Sequence, residues 1–364
     1  MQNNNNIVEG RRNKVLTCLT GYSSNVALLA TALLLLINIA PVFYSCTKYD
    51  EQKKHNSEMS GDLAGNILKS RTISFTSSCS VRTLDLFIFN DDKFRMLDSY
   101  MRAYSPNTNG IQAASCSGDK ILFALANCKV DSTALMGLNS YSELTKLYAE
   151  LEDEAPSDPV MTYECQFDAA SDTYCIAALE PVLAEVVLNS ISCNFSDRPY
   201  KGKKLENVRV YLTNVCSRYP FAGQSSTGPE GIINYGQMNQ DEIEGLSDPG
   251  ILHRELDIPI GAEIIYPDIK LYCFPNTAEY EDLGTRFTRL VIEGTIDGVK
   301  TFYPININRN KEGVGIERNT SYSYDIRITR RGVNSPDQPI EIEEFECSLH
   351  ISDWNIKSRR TITY

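Results

Sequence analysis

The sequence predicts an all-β protein, and three features of its 364 residues carry that expectation. Short runs rich in Thr, Ser and Ile alternate apolar with polar positions, tyrosine is abundant (20) and tryptophan nearly absent (1). Clusters of Gly, Pro, Asn and Asp separate these runs, with one clear helix among them. Asp297-Gly298 between Ile296 and Val299 is a two-residue hairpin signal that pairs 287–296 with 299–307.

The first segment, 1–45, reads as an export signal rather than domain structure. Arg11, Arg12 and Lys14 precede an apolar run from Val26 to Tyr44, and Ser45 leads into Cys46. A cysteine directly after such a core is where bacterial lipoproteins are cut and acylated, so Cys46 is the candidate lipidation site and lipid the expected partner. A retained membrane span, or plain secretion, is the alternative, because the run is about 20 residues, long enough to cross a bilayer. Pro41 and the polar stretch that follows favour cleavage. Residues 46–70 then form the acylated cysteine and a polar tether with Gly61 and Gly65. Lys48, Asp50 and Glu51 sit just after the acylation site, as charges do in surface-export signals.

Strands begin at once. Thr72–Ser77 places Ile73 and Phe75 on one face, and Leu84–Phe89 reads as a more buried strand closed by Asn90-Asp91-Asp92. Lys120–Ala126 follows the turn Ser117-Gly118-Asp119. The helix is expected from about Tyr141 to Leu151, with Ser140 and Glu143 as a capping box. Further strands are expected at 174–179, 182–191, 207–213, 270–274, 286–296, 301–307, 321–329 and 341–351, with 217–250 as a loop. Roughly 320 residues beyond Cys46 suffice for two domains, divided as 71–172 and 173–364.

The tail carries a distinct pattern. Phe345, Cys347, Leu349 and Ile351 form one apolar edge, followed by Trp354 and a short run containing Ile362. Such a segment can pair within its own domain or be lent to the open sheet of a neighbour, which makes these six residues the candidate strand-donor set.

Composition narrows the function. The formal charge is -12; residues 1–46 carry +2, leaving -14 on the exported part, which argues against nucleic acid. The nine cysteines after Cys46 show no CxxC spacing and read as small buried hydrophobes, with one or two bridges open to them. The three histidines (55, 253, 350) suggest no shared site, and no GxSxG, HExxH or phosphate-binding glycine loop occurs. Asp85, Glu293 and Asp325 read as solvated strand carboxylates. No catalytic residue, metal ligand or cofactor is expected.

The order of several motifs adds a resemblance. After the signal come Leu84–Asp92, Ser117–Asn127, Pro159-Val160-Met161-Thr162 and Leu179–Val186, and the chain closes on Asp353-Trp354 and a final β-run. This order resembles the fimbrillin superfamily of Bacteroidetes, the type V pilins, in particular the FimB/Mfa2-like fimbrial subunits. The resemblance implies two tandem transthyretin-like β-sandwiches, transport to the outer membrane as a lipoprotein, and other fimbrial subunits as partners, with a host or bacterial receptor for adhesion. It also implies that an arginine-specific protease trims stalk subunits, opening a groove for a strand from the next subunit. Arg71 and Arg82 bracket 72–77, so cutting after Arg82 strips that strand, whereas cutting after Arg71 removes only the tether. Met161-Thr162-Tyr163 replaces a common Met-Ser/Thr-Gly, and Glu180 and Glu185 stand where basic residues are frequent; both departures favour an anchor or accessory role. The alternative is a surface glycan-binding lipoprotein of a polysaccharide uptake system, against which the single tryptophan counts.

Overall fold

A computed structural model describes residues 68–172, 174–195, 199–223, 230–281, 286–309, 315–338, 340, 345–354 and 360–363. The signal, Cys46 and the tether up to residue 67 lie outside the described residues, as do 341–344 of the expected last strand. Residues 66–364 form one compact unit. Among the described residues no helix is long and apolar enough to cross a membrane.

The chain is mostly strand, as composition and turn spacing require. In order come β1 (Lys69–Ser77), β2 (Thr83–Asn90), β3 (Leu97–Tyr104), β4 (Ile111–Ser115), β5 (Asp119–Ala126), β6 (Tyr148–Glu150), β7 (Met161–Asp168) and β8 (Tyr174–Pro181). They are followed by β9 (Ala184–Cys193), β10 (Glu206–Thr213), β11 (Val215–Pro220), β12 (Glu230–Ile233), β13 (His253–Leu256) and β14 (Ile269–Cys273). The last are β15 (Arg289–Ile296), β16 (Val299–Asn306), β17 (Thr320–Ile328), β18 (Phe345–Asp353) and β19 (Arg360–Thr363). Among the described residues three short α-helices interrupt them: α1 (Ser132–Met136), α2 (Tyr141–Leu144) and α3 (Gln240–Glu244).

The first sandwich is one continuous strand order, β3-β2-β5-β7-β8-β1-β4, folded over on itself. β7 and β8 share only two ladder pairs, Met161↔Pro181 and Thr162↔Glu180, so the sheet turns there. Ile73 and Phe75 of β1, Ala113 of β4 and Leu179 of β8 then meet Leu84, Leu86, Ile88 and Leu122 across the core. β2 also buries Phe87 and Phe89 on its other face, against Leu135 of α1 and Tyr141 and Leu144 of α2. Burial on both faces explains the unbroken apolar run of β2. β8 belongs to this sandwich through its parallel ladder with β1, so the division between sandwiches falls after Pro181 rather than at residue 172.

The second sandwich packs β13-β10-β15-β16 against β14-β9-β17-β18-β19. Val210, Leu290 and Tyr303 on one side meet Val186, Tyr322, Tyr324 and Leu349 on the other. The Asp297-Gly298 turn has φ of 52° and 76°, the left-handed pair that a two-residue hairpin demands, and Ile296 pairs with Val299.

Two expectations are corrected. The helix is a single turn, not 141–151. Ala149 and Leu151 bury at strand spacing, β6 pairs with β11, and Leu151–Asp153 is a 3-10 turn, so tertiary pairing overrides the helical pattern. Ser140 makes no side-chain cap bond there, although Glu143 Oε2 accepts from Asn139 N at 2.7 Å. The expected loop 217–250 contains most of β11, all of β12 and α3 among its described residues, because Pro220 closes β11 and Gly231, with φ of 69°, takes up an irregular point inside β12.

Candidate functional site

The candidate assembly site is built around β1, whose setting follows from its alternation. Ile73 and Phe75 point into the core while Thr72 and Thr76 face outward. β1 lies between β8 in parallel and β4 in antiparallel register, paired from Thr72↔Tyr174 to Ser77↔Leu179 and from Lys69↔Ser115 to Ile73↔Ile111. It is thus an interior strand supplied by the start of the described chain.

Arg71 lies on the same face as Ile73 and is only 4 % exposed. Its Nη1 donates to Ser115 Oγ at 2.7 Å, its Nε to the Asp172 carbonyl at 3.1 Å, and the guanidinium lies over Phe167. It closes the end of the core.

Arg82 has the opposite character. It sits in the connection between β1 and β2 with its side chain 66 % exposed, paired with Asp158 Oδ1 at 3.0 Å. Asp158 is buried and also faces Lys129 Nζ at 3.8 Å. The neighbouring Glu154 accepts from Val160 N at 3.2 Å, and burial pushes its carboxyl up to about 8. The backbone around Arg82 is held by Asn127, a residue that composition did not single out. Asn127 Oδ1 accepts from Arg82 N at 2.8 Å, and its Nδ2 donates to the carbonyls of Ser80 and Pro159 at 2.8 and 3.0 Å. Its φ of 59° at the end of β5 turns the side chain onto that connection; asparagine tolerates this region.

The structure also places the tail. β18 pairs with β17 over nine residues, from Thr320↔Asp353 to Ile328↔Phe345, and β19 pairs on its other side from Ser348↔Thr363 to Ile351↔Arg360. Cys347 and Leu349 are buried in the second core, Ile351 is half-buried, and Trp354 packs on Tyr272 with ring centroids 5.4 Å apart. The side chains of Phe345 and Ile362 lie outside what is described. β19 is one edge strand of its sheet, with β14 at the other edge. The tail and the β1 groove therefore belong to different sandwiches and are not brought together within one chain.

Two of the motifs behind the resemblance meet at one side chain. Arg318 Nη1 donates to Thr162 Oγ1 at 2.8 Å and its Nε to the Pro181 carbonyl at 3.2 Å, gathering the Met161-Thr162 and Glu180-Pro181 stretches at the sheet turn. The carboxylates read as solvated are not all so. Asp85 is buried and accepts from Tyr100 OH at 2.7 Å, Glu293 is buried against Arg209 and Lys300, and Asp325 is half-buried, accepting from Asn189 Nδ2 at 2.6 Å. Each strand is covered on a face that alternation alone leaves open. Among the described residues no cluster of His, Cys, Asp and Glu is arranged to hold a metal ion.

The fold is that of the fimbrilins and cell-adhesion proteins of Bacteroidetes. A candidate cell adhesion protein from Bacteroides eggerthii superposes with a TM-score of 0.61 at 16 % identity, covering 81 % of this chain and 98 % of that one. Another from Parabacteroides distasonis gives 0.57 at 16 %, covering 85 % and 95 %. A fimbrilin from Porphyromonas gingivalis gives 0.56 at 14 %, covering 79 % and 98 %. No protein-family model and no curated protein matches the chain.

Proposed function

We propose that this chain is a structural, non-enzymatic subunit of a cell-surface fimbria that assembles by β-strand donation and supports adhesion. The observation that carries the reading is β1: an interior strand, paired on both edges, joined to the rest of its sandwich through an exposed arginine. Cutting after Arg82 frees β1 and leaves β8 and β4 with unpaired backbone groups above an apolar trough once filled by Ile73 and Phe75. An incoming strand restores those hydrogen bonds and refills the pockets, at roughly 1.5–3 kcal/mol per buried side chain. The donor is the terminal segment of another subunit, with β19 as the part released first because it is an edge strand. In this reading the chain is exported through its first 45 residues, acylated at Cys46, and carried to the outer membrane. The untrimmed form, with β1 seated, serves as the anchor or accessory subunit.

Mass spectrometry of the mature N-terminus tests this. An acylated Cys46 on surface protein supports the anchor form, and a terminus at Thr83 in polymer supports a trimmed, strand-accepting subunit. A free protein in neither state, absent from surface fibres, contradicts both.

A further inference from the structure

We propose that Cys165 and Cys175 form a disulfide in the exported protein, a staple across the seam where β7 and β8 stop pairing. Their Sγ atoms lie 3.6 Å apart, on the two strands that carry the first sandwich from one sheet to the other. The β7–β8 ladder consists of Met161↔Pro181 and Thr162↔Glu180, so it does not extend to the height of the two cysteines. β7 is engaged by β5 and β8 by β1 instead.

The hairpin holds the thiols in place from both ends. At its root stand the two ladder pairs. At its tip, Asp172 N donates to the Asp168 carbonyl at 2.8 Å, Asp168 N to Asp172 Oδ2 at 3.0 Å, and Ala170 N to Asp168 Oδ1 at 2.7 Å. Between these fixed ends the two half-buried cysteines pack against the core of the first sandwich. Bond formation requires closing the sulfurs to about 2.05 Å, a movement within reach of side-chain rotation. All nine described cysteines, these two included, are free thiols in this structure.

The chemistry is thiol–disulfide exchange with an oxidant of the disulfide class. The Cys165 thiolate attacks one sulfur of R–S–S–R, giving a mixed disulfide and releasing RS⁻. The Cys175 thiolate then attacks the Cys165 sulfur and expels the second RS⁻. The two cysteine protons end on the two RSH molecules, and the two electrons reduce the oxidant. Cys165 suits the first role. The S–H of Cys175 donates to it and outweighs burial, with help from Tyr163, so its thiol is pulled down to about 7. An exported protein meets such oxidants. The bond fixes β8 to β7 independently of β1. Its consequence for assembly, that one wall of the groove stays formed when β1 leaves, rests on the strand-donation reading; the bond does not.

Peptide mapping under non-reducing conditions tests the bond itself. The full chain is refolded in a mixture of reduced and oxidised glutathione, its remaining thiols are alkylated, and the digest is analysed by mass spectrometry. The expected product joins the Cys165 and Cys175 peptides at about 2 Da below their summed reduced mass. Wild-type Tm is expected to fall by a few degrees on adding reductant, and the C165S/C175S protein, folded by circular dichroism, to show no such shift. Alkylation of both cysteines in the folded, oxidised chain overturns the proposal, as does bridging of either to a third cysteine. If the double variant does not fold, the wild-type peptide map still decides. None of these readouts depends on fibre assembly.

Discussion

Arg71 donates through Nη1 to Ser115 Oγ at 2.7 Å, and both residues are buried at the junction of β1 and β4. Of the two candidate cleavage arginines, this one lies within β1 and is thereby withdrawn from any protease acting on the folded chain. Arg82, exposed and tethered through Asp158, is not. Limited digestion with an arginine-specific protease is expected to produce a terminus at Thr83 and none at Thr72. N-terminal mass analysis reads the outcome, and a dominant cut after Arg71 counts against the packing described.

Asn127 sets how fast that cut occurs. Two of its three hydrogen bonds, from the Arg82 amide and to the Ser80 carbonyl, hold the segment that carries the cut, while the third ties Asn127 to the Pro159 carbonyl; each contributes about 1 kcal/mol. Asn127→Ala is expected to accelerate cleavage after Arg82 by roughly ten-fold or more, since proteolysis follows the population of the opened segment. Sites elsewhere in the same digest serve as the control. An unchanged rate after Arg82 removes Asn127 from the role.

Phe75 is the larger of the side chains that β1 lends to the core. Phe75→Ala is expected to lower unfolding free energy by about 3–5 kcal/mol in urea melts. Thr76→Ala, exposed on the same strand, is expected to stay within about 0.5 kcal/mol of the parent. Equal effects at both positions contradict the burial of Phe75 and the exposure of Thr76.

Glu154 gives the protein a pH dependence of a definite sign. Burial raises its folded carboxyl to about 8, above an ordinary unfolded value near 4.5, so the folded state holds the proton more tightly. Its contribution is complete below about pH 4.5 and is lost as pH rises toward 8, by an amount on the order of a few kcal/mol. Glu154→Gln keeps the shape without the ionisation. Its stability relative to the parent should therefore rise between pH 5 and 8, and chemical denaturation across that range checks it.

Much of the fold is legible in sequence, and the reasons are local. β2 shows itself because both faces are apolar, and the β15–β16 hairpin because Asp297-Gly298 has only one comfortable turn type. β3 escapes notice since all but its last residue are half-buried and its polarity is mixed. The helix fails since Tyr148 and Leu151 repeat at helical spacing, while pairing with β11 makes 148–150 a strand and Leu151 opens a 3-10 turn. The site is less legible because its contacts are long-range. Thr72 and Tyr174 pair across about a hundred residues, and Arg318 reaches Thr162 from the other sandwich. The candidate tail residues were visible as an alternating edge; that β18 is a core strand and β19 its edge required the ladder.

That ladder also decides which truncation is informative. Removing 341–364 deletes Cys347 and Leu349 from the second core and is expected to abolish its cooperative unfolding transition. Removing 355–364 takes away only the edge strand β19, and the protein is expected to stay folded by circular dichroism while failing to enter fibres.

The most direct measurement is strand capture by the trimmed subunit. The chain cut after Arg82 is freed of its 69–77 segment and titrated with a synthetic peptide of residues 69–77 and, separately, one of 345–364. Saturable one-to-one binding to trimmed protein, absent for the intact chain and accompanied by a rise in Tm, is the expected result. A trimmed chain that takes up neither peptide, or an intact chain that binds them equally well, would refute strand donation at β1.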